Sequence, residues 1–326
     1  MNDKHKCILV TGIGGNVGQG IIRIIRKEFP EIKIVGINIT DFSAGNHLVD
    51  KFYKVPFGYE INYIDVVKNI ALDECVNLII PSTDYESYFL TKSKDSFNCL
   101  IASSDIEAIK IYLDKYLSYT FHSKHKIPFA ETVLPSEFKN QFDKSIAKPR
   151  EGRGSKGVFS NIVNAEEFKD EDYIIQREYE GIEISTAAYV SYISGELCGI
   201  ITFERTLENG ATTYCKVVSD YNDTLENIIK KILTTLSIRG SFNIQSIVTD
   251  SGEIVPFEVN CRISGTNSIR HHFGFCDVKN TVDELIFKDR TQKMNPTNGF
   301  AYRMLTDIIY NSDSAKGNNE DNFIKF

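Results

Sequence analysis

The segment EIVPFEVNCRISG, from residue 253 to residue 265, constrains the fold most, because it combines a strand pattern with closely spaced polar side chains. Successive side chains of a strand point to opposite faces, so Glu258, Asn260 and Arg262 are predicted to share one face of a sheet. The residues between them are predicted to face the core: Phe257, Val259 and Cys261. A carboxylate, an amide oxygen and a guanidinium in one row suit a site for magnesium and a nucleotide phosphate, and a merely hydrated hairpin face is the alternative.

A second strand is predicted just before this segment, over residues 242–248, with an Asp-Ser-Gly turn between the two strands. If Thr249 pairs with Ile254, Gln245 lies opposite Glu258 and their side chains share a face. A slip of one residue would separate them, because the side-chain period of a strand is two.

A glycine-rich stretch in the middle of the chain predicts a phosphate-binding loop. A short strand over residues 145–148 ends at Lys148 and leads into REGRGSKGVF, residues 150–159. The glycines allow backbone N–H groups to approach anionic oxygens, and the neighbouring lysine and arginine side chains favour phosphate. The loop lacks the GKS or GKT ending of a P-loop NTPase, and a flexible hairpin loop is the alternative.

The N-terminal part alternates strands and helices, which predicts a parallel sheet with right-handed crossovers. The predicted strands cover residues 7–11, 32–37, 77–80 and 98–101, and the predicted helices cover 17–29, 61–72 and 85–93.

Glycines at the first strand–helix junction resemble a dinucleotide-binding fingerprint: Gly12, Gly14 and Gly18. The second strand, however, runs into Asn38 where an acid would bind a ribose, and the one Tyr-x-x-x-Lys pair, Tyr88 with Lys92, lies within a predicted helix. An NAD(P)-dependent oxidoreductase is therefore the less favoured interpretation. A loop that approaches a substrate anion, or a tight turn, is preferred.

Four polar residues have no assigned role. Asp84 and Glu86 follow the end of a predicted parallel strand and could hold a substrate ammonium, although helix N-capping by Asp84 is the preferred interpretation. His271 and His272 could border an acceptor site or pack beside Phe273.

Further strands are predicted over residues 184–193, 196–206 and 211–218, and an amphipathic helix over 225–236. Arg205 and Lys216 lie on these strands, so each needs an anionic partner or solvent, because a buried unpaired charge is costly.

Composition excludes several classes of protein. The net charge of -7 argues against a nucleic-acid-binding surface. The seven cysteines contain no Cys-x-x-Cys pair, so neither a zinc ribbon nor a disulfide framework is expected. No apolar run suits a signal peptide or a membrane span, and the expected location is the cytoplasm.

Taken together, four motifs resemble an ATP-grasp enzyme: Asp114-Lys115-Tyr116, the pattern AKPxxGxGSxGV from Ala147 to Val158, Gln176 to Glu183, and Gln245 with Glu258-x-Asn-x-Arg262. Their order extends over nearly the whole chain, from Cys7 to about Lys288. The last motif is most similar to the carbamoyl phosphate synthetase branch, which includes small stand-alone carboxylate–amine ligases. The chain has room for only one of the two such units that a carbamoyl phosphate synthetase large subunit carries.

The resemblance implies a fold that is α/β followed by α+β. A Rossmann-like domain would cover residues 1–103 and a two-lobed ATP-grasp domain residues 104–290, with its small lobe at about 120–182 and its large lobe at about 183–290. A C-terminal strand and a polar tail would cover residues 291–326.

The resemblance also implies which residues bind ATP: Lys115, Lys148, Gly152, Gly154, Ser155, Gly157, Gln176, Arg177, Tyr179 and Glu183. The lysines would contact the phosphates and the glycine loop would close over them. The backbone of Arg177 and Tyr179 would bind adenine, and Glu183 the ribose hydroxyls.

For the metal, the resemblance implies that Gln245, Glu258 and Asn260 hold one or two Mg²⁺ ions, which Mn²⁺ can replace. Arg262 would stabilise the transferred phosphoryl group, and Lys216 would contact phosphate.

The implied activity is ATP-dependent ligation of a carboxylate, activated as an acyl phosphate, to an amine, with small molecules as the partners. A non-catalytic ATP-binding module is a further alternative, and a homodimer is compatible with the sequence.

Overall fold

A five-stranded parallel sheet forms the N-terminal part, as the alternation of strands and helices predicts. Its elements are β1 (Cys7–Val10), α1 (Asn16–Glu28), β2 (Lys33–Asn38), β3 (Lys51–Lys54), α2 (Tyr63–Asp73), β4 (Leu78–Ile80), α3 (Asp84–Lys92) and β5 (Leu100–Ile101). The strand order is β3-β2-β1-β4-β5, and every pairing is parallel. Helix α1 buries the isoleucines that its amphipathic pattern places inward: Ile21, Ile22, Ile24 and Ile25.

The computed structural model describes residues 6–152, 156–208, 210–304, 308–310 and 323–325. Gly154 and Ser155 of the predicted phosphate loop therefore lie outside the described residues, as does the predicted polar tail over residues 311–322.

Two helices and a small antiparallel sheet follow the parallel sheet. The elements are α4 (Ile106–Leu113), α5 (Lys115–Lys124), β6 (Thr132–Val133), β7 (Ser145–Pro149), β8 (Phe159–Ser160) and β9 (Tyr173–Arg177). The strands are ordered β6-β9-β7-β8 around a small core of their own that includes Ala147 and Ile175.

A six-stranded antiparallel sheet forms the remaining body, in the order β14-β13-β10-β11-β12-β15. Its elements are β10 (Ile182–Val190), β11 (Leu197–Glu208), β12 (Ala211–Val218), α6 (Asn222–Leu233), β13 (Gly240–Val248), β14 (Ile254–Asn260), α7 (Asn267–Arg270), α8 (Asp277–Val282), a π-helix (Asp283–Phe287) and β15 (Phe300–Tyr302). Strands β16 (Ile308–Tyr310) and β17 (Phe323–Lys325) pair separately.

The two faces of the six-stranded sheet are covered differently. Helix α6 packs its apolar stripe on one face, burying Leu225, Ile228, Ile229 and Ile232. On the other face, Phe275 belongs to an apolar cluster with Phe203 and Cys215, so one end is covered. The polar end of that second face is open and forms one wall of a cleft.

A β-bulge in the β13–β14 hairpin sets the register of the polar row. Gln245 pairs with Glu258 as predicted, but the turn closes with Val248 opposite Ile254 rather than Thr249 opposite Ile254. The bulge at Phe257 makes up the difference of one residue. The prediction that Phe257 faces the core is therefore wrong.

The extra residue turns the Phe257 ring into the cleft. Val259 and Cys261, beyond the bulge, face the core as predicted. No helix among the described residues is long and apolar enough to cross a membrane.

Candidate active site

A cleft with a volume of ≈ 300 Å³ lies between the four-stranded and the six-stranded sheets. Strands β7 and β9 supply one wall, and strands β10, β13 and β14 supply the other. Its lining includes most of the residues implied for binding the nucleotide or the metal: Lys115, Lys148, Gly152, Gln176, Arg177, Tyr179, Glu183, Gln245 and Glu258.

Lys148 is held at the base of the cleft by neutral groups. Its Nζ donates to Gln176 Oε1 over 2.8 Å and lies 4.8 Å from the centre of the Phe257 ring. Gln176 is fully buried, and its Nε2 donates to Thr132 Oγ1 over 3.1 Å, so the amide is fixed. Burial lowers the pKa of the Lys148 ammonium to about 8, although Glu258 acts in the opposite direction.

Lys115 enters the same cleft from the first turn of α5. Asp114 caps that helix, because its side chain accepts from the backbone N–H groups of Tyr116 and Leu117. The same carboxylate binds the Arg150 guanidinium over 2.6 Å, which ties the start of α5 to the glycine loop. Asp114 thus fixes the start of α5, and the next residue, Lys115, lines the cleft.

Backbone groups at the end of β9 provide the polar edge of the cleft. The N–H of Arg177 donates to Glu131 O over 2.8 Å, so it is not available to an adenine. Within the described residues, the N–H of Tyr179 has no backbone partner. The Arg177 guanidinium lies 5.1 Å from the Tyr179 ring centre. The geometry leaves a carbonyl at Arg177 and an N–H at Tyr179 for a ligand.

Arg205 joins two predicted site residues that lie on different strands. Its Nε and Nη2 donate to Glu183 Oε1 over 3.1 and 2.6 Å, and Nη2 also donates to Gln245 Oε1. Its side chain is only 11% exposed, so the Glu183 carboxylate supplies the partner that the sequence requires. Arg205 was expected to need such a partner but was not assigned to the site. The signal was a charge in the middle of an apolar strand.

Glu258 lies at the centre of the polar row. Its Oε1 accepts from Gln245 Nε2 and from Asn260 Nδ2, each over 3.0 Å. Burial acts to raise the pKa of this carboxyl, but Lys115, the Asn260 amide, Lys148 and Arg262 outweigh burial and hold the pKa below its ordinary value. Glu258 is therefore an anion within a cationic surrounding.

Arg262 connects the polar row to the N-terminal part. Its Nη2 donates to Asp84 Oδ2 over 2.7 Å and to Asn260 Oδ1 over 3.1 Å. Its Nε is buried and has no hydrogen-bond partner among the described residues. An orphaned guanidinium N–H beside the polar row is a donor that an anionic ligand can satisfy.

The polar row fits a magnesium ion in its chemistry. Glu258 provides a carboxylate, and the amides of Gln245 and Asn260 donate to it through their N–H groups, so each amide must turn over to offer its oxygen to the ion. One carboxylate with amide oxygens, completed by phosphate oxygens, is a donor set that Mg²⁺ accepts. The described residues contain no cluster of His, Cys, Asp or Glu side chains that could hold a metal ion, so such a site needs these amides and a ligand.

The glycine loop borders the cleft at both of its described ends. Gly152 lines the cleft together with Lys156 and Val158. Gly157 has φ +72, a backbone conformation that favours glycine, and an added Cβ would lie 3.1 Å from Pro149 Cγ. These two glycines hold positions that larger residues would disturb.

The structure does not bring Lys216 to the cleft, which contradicts its expected phosphate contact. Across the sheet, Lys216 of β12 pairs with Glu204 of β11, and Glu204 pairs with Ile184 of β10. Gln245 of β13 pairs with the next residue of β10, Ser185. Neighbouring residues of a strand point to opposite faces, so Lys216 shares the face of buried Ile184 and not that of Gln245. Its side chain is exposed to solvent, the other outcome that the sequence allowed.

The N-terminal glycines are used for packing. Gly12 has φ +54, and an added Cβ on Gly45 would lie 1.7 Å from Ile13 O, because a 3-10 turn packs directly on the loop. Asn38, at the position of a ribose-binding acid, donates through its amide to Asn46 Oδ1 over 3.0 Å. These contacts argue against the dinucleotide interpretation.

Asp84 and Glu86 have different surroundings. Thr83, and not Asp84, caps helix α3, which leaves the Asp84 carboxylate free to bind Arg262 at the cleft. Glu86 is buried and accepts from Thr11 Oγ1 over 2.7 Å, so it stabilises the N-terminal part.

The two histidines also differ. His271 lies 3.0 Å from Glu28 Oε1 at the end of α1, and His272 is exposed.

Comparisons with known proteins agree with this architecture. Residues 112–266 match the family model of an ATP-grasp domain, and residues 8–102 match that of a PylC-like N-terminal domain. No curated protein matches the sequence.

Solved structures with the same fold include three enzymes. N5-carboxyaminoimidazole synthetase from Staphylococcus aureus, complexed with ADP, has a TM-score of 0.74 at 12% identity, covering 92% of this chain and 82% of that chain. The biotin carboxylase domain of 2-oxoglutarate carboxylase from Hydrogenobacter thermophilus has a TM-score of 0.71 at 14% identity, covering 96% and 76%. L-amino acid ligase from Bacillus licheniformis has a TM-score of 0.68 at 10% identity, covering 87% and 75%.

The predicted fold class, a parallel-sheet domain followed by antiparallel ATP-grasp sheets, is confirmed. The chain contains an ATP-grasp domain over residues 112–266, and a PylC-like N-terminal domain precedes it over residues 8–102.

Proposed function

We propose that the protein is an ATP-dependent ligase that activates a carboxylate as an acyl phosphate and joins it to an amine, releasing ADP and phosphate. The observation that carries this proposal is the convergence of Lys115, Lys148 and Glu258 on one cleft, with Arg262 in an adjoining cavity that Glu258 also lines. Cations and one carboxylate at this spacing suit phosphoryl transfer, which needs positioning and charge neutralisation more than a protein nucleophile.

The nucleotide would lie along the cleft from β9 to the polar row. The Arg177 carbonyl and the Tyr179 N–H would bind adenine, and the second carboxylate oxygen of Glu183 would accept from the ribose hydroxyls. Lys148 and Lys115 would neutralise the phosphates, and the loop from Gly152 to Gly157 would cover them.

Mg²⁺, bound by Glu258, Gln245 and Asn260, would supply charge neutralisation at the phosphates. Arg205 positions this set, because it fixes Gln245 and Glu183 through one guanidinium. One or two ions, and replacement by Mn²⁺, belong to the proposal.

The chemistry would proceed in two displacements. A carboxylate oxygen of the acid attacks the γ-phosphorus of ATP, forming an acyl phosphate as the bond to the β-phosphate oxygen breaks and ADP leaves. Arg262, with its unsatisfied Nε–H, would bind the transferred phosphoryl oxygens. The amine then attacks the acyl carbon, and phosphate leaves as the amide forms and the amine loses a proton.

The proposed domain division keeps its first boundary near residue 103, where the last strand of the parallel sheet ends at Ile101. The second boundary, at residue 290, leaves β15 (Phe300–Tyr302) outside the proposed ATP-grasp domain although this strand pairs with the six-stranded sheet. A homodimer stays a prediction.

Incubation with Mg-ATP and pools of acids and amines tests the proposed activity. The expected result is ADP and phosphate whose release depends on both an acid and an amine. AMP as the nucleotide product would contradict the acyl-phosphate route, and ATP binding without any turnover would favour the non-catalytic module.

A further inference from the structure

A second cavity, with a volume of ≈ 230 Å³, adjoins the nucleotide cleft beyond Arg262. We call it the acceptor cavity, and it shares Gln245, Glu258 and Gly152 with the cleft. The residues that distinguish it come from the N-terminal part, the β11–β12 hairpin and the C-terminal segment: Asn16, Val17, Asp84, Thr212 and Arg303. One end of the acceptor cavity therefore lies at the proposed site of phosphoryl transfer, and the other end lies farther from that site.

One positive charge in this cavity lacks an anionic partner within the part of the chain that the structure describes. Arg205 is paired with Glu183, and Arg262 is paired with Asp84. Among the described residues, Arg303 has no carboxylate within ion-pair distance. The end of the cavity away from the phosphate site is therefore cationic.

Arg303 is held in place by neutral groups. Its backbone N–H donates to Thr213 O over 2.8 Å, and its Nη2 donates to Gly265 O over 2.7 Å. Burial and the neighbouring Arg23 lower the pKa of this guanidinium, although Cys215 acts in the opposite direction. The remaining N–H groups of Arg303 are donors that an anionic ligand can satisfy.

Arg262 and Arg303 bind carbonyls of one short segment. Arg262 Nη1 donates to Ile263 O over 3.2 Å, and Arg303 Nη2 donates to Gly265 O. Both guanidinium groups also line the same cavity of ≈ 230 Å³, so a small molecule can reach both. The first turn of α1, which contains no acidic residue, adds backbone N–H groups on the same side.

We propose that Arg303 binds a second anionic group of the acid substrate, so that the acceptor is a short dianionic acid. One carboxylate would lie at Arg262, where the phosphoryl group arrives, and the other anionic group at Arg303. The second group is a carboxylate or a phosphate-like group, since a guanidinium binds both through paired hydrogen bonds. This inference rests on the proposed ligase function and narrows its substrate class.

Calorimetric titration of the full chain, saturated with Mg²⁺ and a non-hydrolysable ATP analogue, tests the inference. The dianionic probes are succinate, glutarate and 3-phosphonopropionate, and the monoanionic probes are butyrate and pentanoate. We expect at least one dianionic probe to bind about tenfold or more tightly than the monoanions. Equal binding of both classes to the wild-type protein would overturn the inference.

Variants of Arg303 test whether this residue distinguishes dianionic from monoanionic probes. Arg303→Met should weaken binding of the preferred dianionic probe about 10- to 100-fold and change monoanion binding less than about twofold. Arg303→Lys should restore part of the affinity. The control Arg290→Met removes an exposed arginine paired with Glu196 and should change neither class. Unchanged dianion binding in a folded Arg303→Met protein would contradict the inference.

ADP release in parallel samples, in which ATP replaces the analogue and hydroxylamine serves as the amine, separates this inference from the proposed function. Equal turnover of monoanionic and dianionic acids would contradict the proposed role of Arg303 but not the ligase proposal. Dianion binding that depends on Arg303, without ADP release for any acid, would contradict the ligase proposal only.

Discussion

Lys148 lies where its ammonium group has little water and no direct carboxylate partner. Its hydrogen bond goes to the neutral amide of Gln176, and the Phe257 ring covers another side. Burial therefore disfavours the charged form and lowers the pKa to about 8. The anionic phosphates of ATP would favour the charged form and raise that pKa.

This difference predicts that ATP binding takes up a proton above pH 8. Between about pH 8 and 10 the free protein loses the Lys148 charge, whereas the complex keeps it, so the Kd for a non-hydrolysable ATP analogue should rise with pH in this window. Titrations in buffers of different ionisation enthalpy measure the proton uptake. Lys148→Met should bind weakly and show no uptake, and the exposed control Lys144→Met should behave like the wild type.

Asp84 and Arg262 form an ion pair that links the N-terminal part to the polar row. Because Asp84 holds the arginine through its Nη2, Asp84→Asn should lower kcat about 10- to 100-fold and leave the Kd for ATP within about twofold. Steady-state kinetics and ATP titration measure the two effects. Asp41→Asn, which removes a partner of exposed Lys54, is the matched control. An equal loss in both variants, or a loss confined to ATP affinity, would refute this role.

At the residue scale, most of the site residues predicted from the similarity of motifs line the cleft. The similarity also predicted a phosphate contact for Lys216, which lies away from the cleft. The strand alternation of β12 puts Lys216 on the opposite face, a conclusion that needs the pairing through Glu204 to Ile184. Arg205 and Arg303 could not be assigned from the sequence, because their surroundings come from distant parts of the chain. Arg205 is a charge within a largely apolar strand and Arg303 directly follows an aromatic one, and this is the signal that marks them.

At the element scale, the bulge in β14 gives the cleft its apolar wall. Pro256 lacks an N–H and cannot donate to the strand ladder, so a bulge beside it is favoured. Proline at this position was the signal that strict alternation would fail at Phe257. The alternation predicted for Glu258, Asn260 and Arg262 succeeded because these residues all lie beyond the bulge.

The bulge predicts that the Phe257 ring controls the hydration of Lys148. In Phe257→Ala, water should reach the ammonium group, so the pKa of Lys148 should rise from about 8 towards its ordinary value. The pH window of proton uptake should then move upward. Val255→Ala changes another cleft residue and should leave the window where it is. A window that stays in place in Phe257→Ala would disprove the effect of the ring.

Other elements were predictable to different degrees. The helices with strong apolar stripes, α1 and α6, were found within a few residues. Strand β3 was missed because its sequence, KFYK, places two aromatic residues between lysines and shows no apolar–polar alternation. It lies on a sheet edge, where Lys51 and Tyr53 bind buried Glu74. The pattern of such a strand is explained only by its contact with Glu74, which lies in a later part of the chain.

At the scale of the whole molecule, the parallel sheet binds no dinucleotide in this account, and the two antiparallel sheets bind ATP. Mg-ATP at 100 times its Kd should stabilise the protein by about 2.7 kcal/mol, because only the folded state brings the cleft together. Thermal denaturation measures this gain. NADPH at the same concentration should give no shift, and a shift with NADPH but none with Mg-ATP would favour the oxidoreductase interpretation.

The central claim is that the cleft lets a carboxylate oxygen take the terminal phosphoryl group of ATP. Turnover of an acid labelled with ¹⁸O in its carboxylate measures this step most directly. One labelled oxygen should appear in the released inorganic phosphate and none in the nucleotide. Label in AMP, or unlabelled phosphate during amide formation, would contradict it.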